Sequence, residues 1–129
     1  MEIPVGLQGE ACCAVCAENT AAAVGSGALP VFGTPYMIAL MEKAALQSVQ
    51  PYLEPGQGTV GTRLDVRHDA ATPVGMTVRA VSTVTAVEGR KICFQVEAFD
   101  EKGPIGSGSH ERFVIDNTRF LAKCQAKLD

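Results

Sequence analysis

Residues 33–53, GTPYMIALMEKAALQSVQPYL, constrain the fold more than any other stretch, because they read as one long helix that is apolar on nearly every side. Thr34 is placed to cap the N-terminus with its hydroxyl, and Pro35 suits the first helical position, where its fixed φ is helical and its missing N–H is no loss. Pro51 and the Glu54-Pro55-Gly56 turn close the other end. The helix between them, of about 16 residues, is roughly 24 Å long at 1.5 Å per residue. Met37, Ile38, Leu40, Met41, Ala44, Ala45, Leu46 and Val49 cover most of its circumference, so it is expected to be surrounded by protein. Glu42 is the exception, since it shares the stripe Ile38, Glu42, Ala45, Val49 and points where its apolar neighbours point.

Such a helix needs a sheet to cover it, and the rest of the chain supplies one. Residues 1–9 read as a lead-in and residues 10–20, EACCAVCAENT, as a strand carrying small apolar cysteines. The Cys13-x-x-Cys16 pair within it lacks the second pair or the histidine that a tetrahedral zinc site needs, so no metal is expected. Residues 21–33, punctuated by glycine and proline, read as a loop, with or without a helical turn, that leads into the central helix. Four strands are expected after the helix, at 59–69, 76–87, 91–100 and 104–115, followed by a short amphipathic helix with Phe120, Leu121, Cys124 and Leu128 on its apolar side. In the first of these strands alternation sets Thr62, Leu64, Val66 and His68 on one face. The Glu88-Gly89 and Glu101–Gly103 turns make the pairing antiparallel. The expectation is therefore an α+β chain, residues 1–129 forming one domain in which an antiparallel β-sheet wraps a long central helix, the hotdog architecture.

Composition removes several function classes. With 129 residues, 47% of them hydrophobic, the chain can build a real core. A net charge of −3 leaves no basic surface for a nucleic-acid backbone, and no apolar run reaches the ~18 residues of a membrane span. The N-terminus lacks the basic start and apolar core of a secretory signal, and five cysteines, an odd number, suit a reducing compartment, so a cytoplasmic location is expected. Gly103 to Gly108, GPIGSG, precedes no helix and is not a phosphate-binding loop.

Five segments, VFGTPYMIALMEKA, PYLEPGQGTVGT, VRHDAATPVGMTV, VEGRK and IGSGSHERFVI, together resemble the hotdog thioesterases, in particular the fluoroacetyl-CoA thioesterase type. The resemblance runs over residues 31–125. It implies a homodimer with active sites at the subunit interface, an acyl-CoA substrate, no cofactor, and a catalytic set of Thr34, Glu42 and His68 with Gly61 and Arg112 also at matching positions. In members that select a fluorinated acyl group, the segment before the central helix carries an aromatic; residues 21–30 here have none, so a small acyl group is expected without fluoroacetyl selectivity.

The chemistry of these residue types agrees. Thioester hydrolysis needs a nucleophile or activated water, a base, and donors for the developing oxyanion. A histidine on a core-facing strand position suits the base, although such a ring is also often just bonded to a backbone carbonyl. A carboxylate on an apolar stripe either orients that histidine or attacks the thioester itself; the plain alternative is a pair with a Lys or Arg. Thr34 sits at the positive end of the helix as cap, nucleophile or hydrogen-bonding partner, and with Pro35 lacking an N–H the amide of Tyr36 or Met37 would face the substrate oxygen. Gly61 marks a bulge or offers its N–H to the oxyanion. Arg112 is either a surface cation or a ligand for a CoA phosphate, and His110 is read as structural. A non-catalytic acyl-CoA-binding module is the alternative function, and a hotdog dehydratase fits less well.

Overall fold

The computed structural model describes residues 2–129. Strand β1 (Gln8–Ala14) is followed by a 3-10 turn at Ala17–Asn19, a one-turn helix α1 (Ala21–Val24) and the long helix α2 (Thr34–Val49). Four strands come next, β2 (Gln57–His68), β3 (Thr77–Glu88), β4 (Lys91–Asp100) and β5 (Gly103–Asp116), and then helix α3 (Asn117–Gln125). They form one five-stranded antiparallel sheet in the order β1-β3-β4-β5-β2. Two hairpins account for the centre: β3 turns into β4 through Gly89, at φ 62°, and β4 into β5 ahead of Gly103. β2 lies at the edge of the sheet and pairs on one side only, with β5.

Helix α2 lies in the concave face. Met37, Met41, Ala44, Ala45 and Val49 are fully buried against Val78 and Ala80 of β3 and Ile92, Phe94, Val96 and Ala98 of β4. From Val78 to Val84 in β3 and from Ile92 to Ala98 in β4 every second residue is buried, as alternation requires, until the register of β3 shifts after Val84. The helix can lie close to β1 because Gly9 has no side chain; a Cβ there would run into the Ala44 carbonyl and approach the Ser48 Cβ to 2.6 Å.

Three expectations are corrected here. The first strand is shorter than residues 10–20: it ends at Ala14, and Cys16 already begins the 3-10 turn. The lead-in is partly structural, since Ile3 is buried and the Gly6 N–H donates to the Val84 carbonyl at 2.8 Å. The terminal helix forms, but its apolar side is not buried: Phe120, Leu121 and Leu128 are all exposed.

A strap fixes the loop after β2. Thr72, wholly buried, donates its hydroxyl to the Asp100 carboxylate at 2.8 Å, and its carbonyl accepts the Phe32 N–H at 2.9 Å. The Asp100 carboxyl is held below its ordinary range, first by the Lys102 N–H and then by this hydroxyl. The segment entering α2, the loop leaving β2 and the end of β4 are thereby joined.

The close approach at Gly9 is open to test. Gly9→Ala forces the helix from the sheet and is expected to lower stability by about 1–3 kcal/mol, the usual range for overpacking, read as a lower denaturation midpoint. An unchanged midpoint would mean that α2 is not seated on β1 in this way.

Candidate active site

A bulge in β2 arranges the site. The register of β2 against β5 shifts between Gly61 and Arg63, so one extra residue reverses the alternation. Thr59 and Gly61 face the helix side before the shift, and Leu64, Val66 and His68 do so after it. One strand thus directs side chains at both halves of α2.

The first half is the N-terminus. Thr34 is the first residue of α2, with Gly33 as the capping residue, and its hydroxyl caps nothing. It lies instead 2.7 Å from His68 Nδ1. This corrects the expected cap: the helix begins one residue earlier, and the hydroxyl is left for the imidazole. The amides of Tyr36 and Met37, expected to face a substrate oxygen, both donate to the Gly33 carbonyl at 3.0 Å. His68 Nε2 is buried without a hydrogen-bonding partner. Burial lowers the His68 pKa below its ordinary 6.5, against the opposing influence of the Ala70 backbone and the Asp69 charge, so the ring is neutral and basic at pH 7. Beside this pair lies a shallow pocket of about 210 Å³ walled by Ala21, Val31, Phe32, Ala70 and Ala71.

The second half centres on Glu42, about two turns further on. Its Oε2 takes a hydrogen bond from Arg112 Nη1 at 3.3 Å. Arg112 is 5% exposed, not a surface cation, and its other nitrogens are also engaged: Nε donates to Thr59 Oγ1 at 2.8 Å and Nη2 to the Thr59 carbonyl at 3.1 Å. Nη1 further donates to His110 Nε2 at 3.2 Å, while His110 Nδ1 donates to the Arg63 carbonyl at 2.8 Å. These bonds require His110 to be neutral with its proton on Nδ1. Burial first, and then the Arg112 charge, lower its pKa in keeping with that. Burial also pulls the Arg112 pKa down, and the Glu42 carboxylate offsets it. A Cβ on Gly61 would stand 2.5 Å from Glu42 Oε2 and 3.3 Å from Arg112 Nη1, so the ion pair needs glycine there.

Of the five residues expected at a site, one chain brings them together in two groups, Thr34 with His68 and Glu42 with Gly61 and Arg112. Thr34 and Glu42 are about 12 Å apart along the helix axis at 1.5 Å per residue. Thr59 was missed by sequence reasoning, although it lies two residues before Gly61 and so on its face; His110 is structural, as read, but as a support of Arg112.

A curled five-stranded antiparallel sheet around one long helix is the hotdog fold, and the solved structures it resembles are hotdog-fold thioesterases. A thioesterase superfamily member from Thermus thermophilus is 31% identical with a TM-score of 0.89, over 97% of this chain and 93% of that one. More particularly, residues 15–118 match the model of the fluoroacetyl-CoA-specific thioesterase family, and the chain belongs to that family. A fluoroacetyl-CoA thioesterase from Streptantibioticus cattleyicolor is 47% identical over 97 residues, 75% of this chain and 70% of that protein. A variant of a fluoroacetyl-CoA-specific thioesterase, crystallised with fluoroacetate and CoA, is 39% identical with a TM-score of 0.86, over 91% of this chain and 98% of that one. The protein is a thioester hydrolase.

Both histidines titrate below the ordinary 6.5, and NMR is expected to give two ring midpoints on the acid side of that value. Since the folded chain binds these protons less readily than the unfolded one, stability is full above pH 6.5 and falls as pH drops through the folded midpoints. Denaturant midpoints at pH 7.5 and pH 5 check the direction; a higher midpoint in acid would contradict it.

Proposed function

We propose that the protein hydrolyses a small acyl-CoA thioester of the fluoroacetyl-CoA kind to the free acid and CoA, at a site where Thr34 and His68 of one copy meet Glu42 of a second copy in a homodimer. The observation that carries this reading is the imidazole of His68, bonded at Nδ1 to the Thr34 hydroxyl and at Nε2 to nothing. If the hydroxyl donates to Nδ1, the ring proton is on Nε2 and needs an acceptor, which a buried N–H rarely lacks. Glu42 of the same chain is too far along the helix to serve. The free edge of β2 supplies the remedy: two copies paired antiparallel along that edge carry His68 of one towards Gly61 and Glu42 of the other. Glu42, held through Oε2 by Arg112, keeps Oε1 available.

The reaction then follows from the atoms. Thr34 Oγ1 attacks the thioester carbonyl as its proton passes to His68 Nδ1, and Glu42 of the second copy balances the imidazolium through Nε2–H. The tetrahedral oxyanion faces the helix N-terminus and the exposed backbone at Gly61. The intermediate expels the CoA thiolate, which takes the proton back from His68. Water, activated by the same imidazole, hydrolyses the Thr34 ester and frees the acid. The pocket beside Thr34, walled by alanines, a valine and Phe32, suits a short acyl group. Two copies in one enzyme also explain why Arg112 is turned inward: it positions Glu42 rather than a phosphate.

Thiol release from acetyl-CoA is expected with the wild-type protein and should fall by about 10²–10⁴ in His68→Ala, the range for loss of a general base. Glu42→Ala is expected to lose turnover while keeping its circular dichroism spectrum. Mixing the two inactive variants restores activity, because each heterodimer holds one site with both groups intact. If mixing restores none after subunit exchange, the site is not shared between copies; if His68→Ala is as active as wild type, the mechanism is wrong.

A further inference from the structure

His110 is a buried titratable side chain to which the proposed reaction assigns nothing. It is 1% exposed, faces Leu64 of β2 and Phe94 of β4 across the sheet, and stacks its ring on that of Phe94 with the centroids 5.7 Å apart. The charged groups that act on it are Arg112 and Glu111 of β5 and Glu42 of α2; β2 offers only the Arg63 carbonyl, and β4 the uncharged ring of Phe94. Glu111 is itself engaged by the Arg63 guanidinium at 3.8 Å. The other two groups crowd with His110 around the bare Cα of Gly61. A Cβ there would stand 2.5 Å from Glu42 Oε2, 3.2 Å from His110 Cε1 and 3.3 Å from Arg112 Nη1.

The guanidinium is held unequally. Thr59 fixes one edge, with bonds of 2.8 Å to Nε and 3.1 Å to Nη2, whereas Nη1 is divided between His110 Nε2 at 3.2 Å and Glu42 Oε2 at 3.3 Å. A proton on His110 Nε2 would turn this acceptor into a donor aimed at a donor, and set one cation against another. The bond to Glu42 is the one to yield, because it is the longest of the four and its carboxylate is 37% exposed. In the same step the summed charge of His110, Arg112 and Glu42 passes from zero to +1, so the carboxylate is opposed twice over. We infer that His110 is a positioning residue: acting through Arg112, it keeps Glu42 in place and its negative charge in balance, and it does so only while its own ring is neutral. The inference rests on the role given to Glu42 in the proposed hydrolysis, where that carboxylate steadies the imidazolium of the second copy. It makes His110 a second ring, besides His68, whose protonation stops turnover.

A pH profile tests this. Thiol release from acetyl-CoA by wild type is expected to fall in acid by more than tenfold per pH unit, because two rings must both be neutral. His110→Gln keeps an acceptor for Arg112 without a titrating ring, so its profile should fall by no more than tenfold per unit, with a midpoint on the acid side of the wild-type one. His110→Asn, whose amide ends where Nδ1 does, should lower kcat by about tenfold at pH 7.5 with KM little changed, the loss of one bond to a charged group; glutamine should recover most of that loss. Without reference to turnover, the Glu42 side-chain carboxyl followed by carbon-13 NMR should shift in step with the His110 ring in the wild-type protein, and the step should vanish in His110→Gln. A wild-type profile no steeper than that of His110→Gln overturns the inference. So does a Glu42 carboxyl that ignores the His110 ring, a measurement that stands even where a variant fails to fold. A coupled carboxyl in a protein that cleaves no thioester supports the hold on Glu42 and sinks the reaction instead.

Discussion

A guanidinium sealed inside a protein of this size is the constraint from which the rest of the site follows. Arg112 is carried on β5 at an inward position, and burial of its charge is costly unless every N–H finds an oxygen or nitrogen and the charge finds a counterion. Thr59 supplies two acceptors from the neighbouring strand, His110 supplies one from its own strand, and Glu42 supplies the charge from the helix. Each of these demands something further. His110 can accept only if its proton is on the other nitrogen, which the Arg63 carbonyl ensures. Glu42 can reach only if Gly61 has no side chain. The carboxylate that interrupts the apolar stripe of α2 is therefore held by the sheet and not tolerated by accident.

Much of the architecture was legible because it depends on period. The apolar circumference of α2 and the alternation of Ile92, Phe94, Val96 and Ala98 are local patterns with a direct physical reading, and the short turns left antiparallel pairing as the simplest way to connect the strands. Features that depend on a single residue's offset were less legible. Thr34 reads as the cap with Pro35 as the first helical residue, and only the position of the imidazole from β2 shows the hydroxyl engaged elsewhere and the helix begun one residue earlier. Arg112 read as a surface cation or a phosphate ligand, because nothing local said that a carboxylate from the helix and two oxygens from Thr59 would meet it inside. The bulge after Gly61 hides part of the site from any alternation argument, since it places Thr59 and His68, of opposite parity, on the same side.

The site is divided along the helix, and that division has a logic. The helix N-terminus offers a positive end, a hydroxyl and a base, which suits attack and oxyanion formation. The middle of the helix is where a fixed carboxylate can be supported, because there the sheet lies close enough to deliver a cation. No single turn of helix offers both. In the proposed homodimer the two halves would be joined across the free edge of β2.

The strap at Thr72 gives the pocket beside Thr34 a property that its lining residues do not reveal. Ala70 and Ala71 stand in a loop that would ordinarily sway, but Thr72 moors it to Asp100 at the far end of β4 and to Phe32 ahead of α2. The depth of the cleft is therefore a dimension of the framework, set like the gauge of a rail by ties that lie outside the running surface. Under the proposed hydrolysis, selection among acyl groups would depend on residues that never touch the substrate, with the alanines themselves left in place.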